Sequence, residues 1–204
     1  MVLAAVALFF DATDRDTPYS VVNTGLLDEP SHFATTALCV LALGRFVMLK
    51  KPFVIAALIA SVAIDLDHVP GYLDVDGFSP VHGGRPYPHS IATLLVLLAI
   101  CAASRRWRSA AAGAAFGLVT HLIRDICDGR PGVALCWPFS AHVFIAGEGI
   151  FWLFIGVSLA ITLRPWPRSA GRPSRADRAD RAGRVGEVRE LPGKGHGGGT
   201  LEIS

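Results

Sequence analysis

Charge is the first thing this chain is short of. Asp, Glu, Lys and Arg make up only 18% of its 204 residues, and many of them crowd into the last forty positions. An ordinary soluble domain carries about a quarter charged residues, so the remainder is too apolar for that class. The formal net charge of +2 points to no particular partner, and no nucleic acid is expected. Cysteine is scarce as well. Four are present, at 39, 101, 127 and 136, with no paired CxxC spacing, which argues against a structural zinc ribbon. Cys127 and Cys136 fall in one loop, where a disulfide between them is conceivable. The apolar residues 1 to 10 lack a basic leading region and a small-residue cleavage site before Asp11. A short docked helix is expected there rather than a cleaved signal peptide.

What is abundant is hydrophobic side chain, at 51% of residues with a mean hydropathy of +0.44. The pattern predicts an all-α, polytopic transmembrane bundle of about five spans, at 31–48, 53–67, 89–104, 109–126 and 142–163. Breaks fall at Lys50-Lys51-Pro52, Pro70 to Pro88, Arg105 to Arg108 and Gly129 to Pro138. FVIAALIASVAI and IATLLVLLAICAA are apolar on every helical face, which means lipid or complete burial. Several spans are shorter than the roughly 20 residues an upright crossing needs, so a soluble helical domain with buried core helices is the competing reading. Residues 1–164 form the expected membrane domain. The segment 165–204, with its RADRADRAGR run and closing GKGHGGG, has too few large apolar residues to fold and is expected to be a disordered basic tail.

Basic residues orient the bundle, because Lys and Arg are retained on the cytoplasmic side. Fifteen of nineteen lie in the two hairpins at 45–51 and 105–108 and in the tail; only Arg15, Arg85, Arg124 and Arg130 lie opposite. The tail is therefore expected inside the cell and the opposite mouth outside. A small-residue face containing Gly113 and Gly117 suggests close helix packing on the fourth span.

The chemistry is concentrated at that mouth. His121 and Asp125, four apart in THLIRDICD, share one helical face. In AIDLDHVPGY, Asp65 and His68 share a face by i,i+3 spacing and Asp67 lies on the same turn. His89 opens the third span with Ser90 as a helix cap, and His32 opens the first. Acids and imidazoles at helix ends are also ordinary boundary residues, but ionisable groups gathered from several spans mark function more often than they mark an edge. Mixed imidazole and carboxylate donors suit zinc or another divalent transition metal better than calcium, with room for two or more ions. Hydrolysis of an ester or phosphoester is the reaction such a site performs most directly. Arg85 offers a guanidinium fork for a phosphate or carboxylate. His142 and Glu148 are assigned to the fifth span, His142 as a further ligand and Glu148 as a floor acid or general base.

These motifs resemble the membrane-bound metal-dependent hydrolases of bacteria, the YdjM-like family. The likeness covers roughly residues 30 to 140. It rests on the His32 segment, DLDH at 65–68, RPYPHS at 85–90, and HLIRD at 121–125 followed by a Gly-rich turn and CWPF at 136–139. The family in turn is similar to the zinc phospholipase C and S1-P1 nuclease group. By that resemblance His32, Asp67, His89, His121 and Asp125 are the first metal ligands to carry over, with Asp65 and His68 next. The chain departs from the family pattern in two places. Ile64 stands where a proline is usual, and Gly84-Arg85-Pro86-Tyr87-Pro88-His89-Ser90 replaces His-Arg-Gly-x-Thr-His-Ser. One expected histidine is missing there, with His82 the nearest substitute.

The reading that follows is a multi-pass hydrolase of the bacterial cytoplasmic membrane. Its partners are the lipid bilayer and an amphiphilic or small-molecule substrate, and its site faces outward. A metal-binding membrane protein without catalysis, whether sensor, scaffold or transporter, is the alternative.

Overall fold

The computed structural model of the chain describes residues 1–16, 21–69, 85, 87–127 and 132–165. The expected disordered tail, apart from Pro165, and His82 lie outside the described residues. Six α-helices are present among those described: α1 (Val2–Asp16), α2 (Val21–Leu43), α3 (Lys51–Ala63), α4 (Ile91–Ala103), α5 (Arg108–Cys127) and α6 (Glu148–Leu163). No strand is present among the described residues beyond an isolated antiparallel bridge between Val133 and Phe144.

Local chemistry sets the ends of these helices. Pro52 sits in the first turn of α3, where its missing N–H costs nothing and its fixed φ is already helical. At its other end α3 tightens into a 3-10 turn, Ile64–His68, which winds Asp65, Asp67 and His68 closely together. Ser90 stands at the N-cap position of α4 but makes no side-chain cap there. The Ile91 N–H donates to the Leu135 carbonyl instead, at 2.8 Å, so the loop after α5 does the capping that was expected of the hydroxyl. The apolar amino-terminal segment is the helix α1, and it docks: Ala4 and Ala7 are buried in one core cluster with Ala34, Leu38, Phe151 and Ile155.

The five-span count is not matched by five spanning helices. By length and composition α5 alone among the described helices is able to cross a membrane. The α4 helix has 13 residues and α6 has 16, about 20 and 24 Å at the α-helical rise, against a hydrocarbon layer of about 30 Å. The shortfall has identifiable causes. Ser104 turns extended after α4, α3 gives way to the 3-10 turn at Ile64, and the segment 142–147 that was assigned to the last span is non-helical and begins α6 only at Glu148. Apolar side chains nonetheless face outward. α4 buries no residue, and Leu95, Val96, Ile55, Ile59, Leu153 and Val157 are exposed.

The closest helix pair is α3 with α5. A Cβ built on Gly113 would stand 2.1 Å from the Phe53 carbonyl oxygen, and one on Gly117 would stand 2.2 Å from that of Ala57. Backbone therefore touches backbone at two successive turns, 53 with 113 and 57 with 117. The next step of the same register pairs Ser61 with His121. Gly113→Ala and Gly117→Ala are each expected to force the helices apart and destabilise the protein by about 1–3 kcal/mol. Thermal unfolding of the detergent-purified variants measures this, and wild-type stability for both would refute the packing.

Candidate metal centre

The Ser61–His121 step is where the packing turns into chemistry. The Nδ1 of His121 lies 2.9 Å from the Ser61 carbonyl oxygen. A carbonyl only accepts, so Nδ1 carries the proton and donates it. In the neutral ring Nε2 is then a bare lone pair aimed away from α3. His89 is arranged in a parallel way. Each of its ring nitrogens stands 3.1 Å from a carboxylate oxygen, Nδ1 from Asp67 Oδ2 and Nε2 from Asp65 Oδ1; in the tautomer whose Nδ1–H donates to Asp67, Nε2 is the free nitrogen of the neutral ring. The pairing of a ring N–H with a carboxylate or backbone carbonyl is how metal-binding histidines are oriented.

The two Nε2 atoms face each other at 3.1 Å, and two carboxylate oxygens join them. Asp65 Oδ1 is 3.1 Å from His89 Nε2 and 3.5 Å from His121 Nε2. Asp125 Oδ2 is 3.0 Å from His121 Nε2 and 3.6 Å from His89 Nε2. A tetrahedral zinc ion with N and O ligands at about 2.0–2.1 Å holds them about 3.3 Å apart. These separations scatter closely around that edge length. His89 and His121 are buried, as is Asp125; Asp125 Oδ2 makes no hydrogen bond, while Oδ1 has the Arg85 guanidinium beside it. Buried lone pairs that converge without donors are costly. Protons on the imidazoles relieve them, and so does a cation among them; the donor set fits a divalent metal.

Further donors surround this group. His68 Nδ1 lies 3.2 Å from Asp67 Oδ1 and 3.3 Å from Asp65 Oδ1, so Asp67, His68 and His89 make a second cluster of metal-ligand type. Arg85 is buried and places Nη2 3.1 Å from Asp125 Oδ1. The His32 ring lies flat on that of His121, centroids 3.8 Å apart and planes 15° apart. Two groups sit in the turns outside the helices. Burial would lift the Asp67 carboxyl, but hydrogen bonds from His68 and His89, with their charge, outweigh it and hold the group below its ordinary value. Burial would lower His89, but hydrogen bonds to Asp65 and Asp67 raise it above the usual histidine value.

Eight of the residues singled out from the sequence thus come together: His32, Asp65, Asp67, His68, Arg85, His89, His121 and Asp125. Two do not. His142 and Glu148 are exposed and belong to no donor cluster among the described residues. The helical spacing assumed between them does not exist, because His142 lies in the non-helical segment before α6, its ring edge-on to Phe144 at 5.1 Å. Cys127 and Cys136 form no disulfide with each other, and Cys127 packs in the core. The structure also adds Asp28, Ser31 and Arg124, which the sequence reading passed over. Arg124 is fully buried and forms an ion pair with Asp28. The available signal was spacing: Asp28, Ser31 and His32 stand at i, i+3 and i+4 on α2. Asp125→Ala would leave Arg85 buried without that counter-charge, and a loss of about 3–5 kcal/mol of stability is expected, read by thermal unfolding. A change under 1 kcal/mol would contradict the arrangement.

Comparison with known proteins gives one match. A family model described as YdjM inner membrane protein covers residues 27–180, a stretch that includes every residue of the cluster. No curated protein and no solved structure matches the chain. With most of its length under that model, the chain belongs to the YdjM inner membrane protein family.

Proposed function

We propose that this protein is a membrane-embedded hydrolase dependent on a divalent metal, most simply Zn2+, acting on an ester or phosphoester of a lipid or cell-envelope molecule. The observation that carries the proposal is the approach of Asp65 Oδ1 and Asp125 Oδ2 to the facing Nε2 atoms of His89 and His121, at separations of 3.0 to 3.6 Å. A divalent ion held there supplies Lewis acidity, which acidifies water and polarises an ester or phosphoryl oxygen. The residues do the rest. Ser61 and Asp67 fix the histidine tautomers, and Arg85 holds one edge of Asp125 so that the other edge faces the donors. Asp65 is the least buried of the four, which makes it the first candidate among them to accept a proton from an attacking water. Asp67 and His68 extend the donor set on the more exposed side, where their side chains are 13% and 21% accessible, and suit a second ion.

Membrane placement is supported by the family description and by the outward-facing apolar sides of α3, α4 and α6. The donors gather where α3 ends and α4 begins, and at the carboxy-terminal end of α5. Arg45, Lys50, Lys51, Arg105, Arg106 and Arg108 fall at the opposite helix ends. Under the positive-inside rule the site then faces outward and the tail lies in the cytoplasm. A headgroup would sit level with the site while its chains stayed in lipid.

A second reading is a metal-binding membrane protein without catalysis. It is favoured by the count of protein donors beside the two facing imidazole nitrogens, four with Asp65 and Asp125, the number that structural zinc sites use. Metal analysis of the detergent-purified chain is expected to give at least one zinc per chain, and an Asp65→Ala, His121→Ala double variant none. Hydrolysis of a synthetic phosphodiester is expected to fall at least about a hundredfold on chelation and to return with Zn2+. Stoichiometric zinc with no hydrolysis would favour the second reading, and a metal-free wild type would overturn both. Imidazole donors must be neutral to bind, and His89 is held above the usual histidine value of about 6.5, so zinc affinity is also expected to weaken as the pH falls, beginning above that value.

A further inference from the structure

Arg124 is a permanently charged group with no accessible surface, a position that demands partners. It finds them on α2. It forms an ion pair with Asp28, its Nε donates to Ser31 Oγ at 2.9 Å, and its Nη1 lies 3.1 Å from His32 Nε2. A guanidinium only donates, so toward Arg124 His32 Nε2 is the acceptor, and the proton of the neutral ring then sits on the buried Nδ1, which has no partner of its own. The lone pair through which His32 would otherwise hold a metal is thereby engaged. The ring itself is spread over the face of His121, and its Nε2 edge is 3.3 Å from Asp125 Oδ1.

We infer that Arg124, clamped by Asp28 and Ser31, is a positioning residue of the metal centre that acts through His32, and that His32 is a backing plate for His121 and Asp125 rather than a metal ligand. His121 is then held on two sides, by the Ser61 carbonyl at its Nδ1 and by the His32 ring against its face. The clamp reaches further, since the Ser31 hydroxyl that accepts from Arg124 donates to the Ala7 carbonyl of α1 at 3.0 Å. The inference rests on the metal reading above and assigns who holds the ion and who holds the holders.

The test uses the full chain in detergent, with zinc affinity measured by competition against a chromogenic chelator and thermal unfolding measured beside it. Arg124→Lys keeps the charge and loses the fork, and a fall in affinity of about 10–100-fold is expected, the usual cost of removing an orienting partner. Arg124→Met with Asp28→Leu removes both charges, so that no buried ion is left alone. This double variant is expected to recover wild-type unfolding while its affinity stays lowered by the same factor. X-ray absorption of wild type loaded with one equivalent of zinc is expected to count two imidazole nitrogens, from His89 and His121. Full recovery of affinity in the double variant would reduce the clamp to a structural ion pair, and three imidazoles that fall to two in a His32→Ala variant, but not in a His68→Ala variant, would make His32 a ligand; either result overturns the inference. A wild type that binds no zinc would instead bring down the metal reading together with it.

Discussion

The hydrogen bond from His121 Nδ1 to the Ser61 carbonyl is the constraint on which the site depends, and it is a consequence of helix packing. Because Gly113 and Gly117 bring α5 onto the backbone of α3, a main-chain carbonyl of one helix comes within reach of a ring on the other. Main-chain atoms offer no rotamers. The His121 ring is thus oriented by a group that has no freedom of its own, and the direction of Nε2 follows from the register of two helices. Closely packed glycines and a precisely aimed imidazole are one feature seen at two successive turns.

Around that fixed nitrogen the other groups fall into a hierarchy. His89 is aimed by Asp67, and Asp125 is faced on one oxygen by Arg85 and on the other by His121. The consequence is that two carboxylates on the 3-10 turn after α3 and the end of α5 each set one oxygen beside the facing nitrogens of two imidazoles, from the lead-in to α4 and from α5. Low dielectric makes such a cluster expensive without compensation and strong with it. Its geometry is that of a pocket set for positive charge.

Much of this was legible in the sequence because ligand chemistry and helix periodicity are local properties. The pair His121 and Asp125 needs only the α-helical repeat, and Asp65, Asp67 and His68 lie within a single turn, so their meeting follows once α3 and α5 are neighbours. Which aspartate points inward was not legible. Asp67 was placed first among the ligands and Asp65 second, whereas the 3-10 winding of Ile64–His68 turns Asp65 Oδ1 toward both histidines and sets Asp67 behind His89. His142 and Glu148 were misplaced for a related reason: an apolar run was read as helix six residues before the helix begins, because the Val133–Phe144 bridge is a long-range pairing that periodicity does not reveal. Arg124 was counted as a boundary charge. Its burial depends on three residues of α2 nearly a hundred positions away, and only the tertiary fold joins them.

The brevity of α4 carries a consequence for any bilayer around this protein. An apolar rod of 13 residues, roughly two-thirds of the thickness of the hydrocarbon layer, imposes a hydrophobic mismatch that lipids relieve by thinning locally or that the helix relieves by standing nearly upright. Thinning on the side of α4 would draw the polar layer down toward Ile91, two residues from His89. The membrane would then be deformed where the donor atoms lie, and on the hydrolytic reading proposed above a headgroup could reach the site without its lipid having to leave the leaflet.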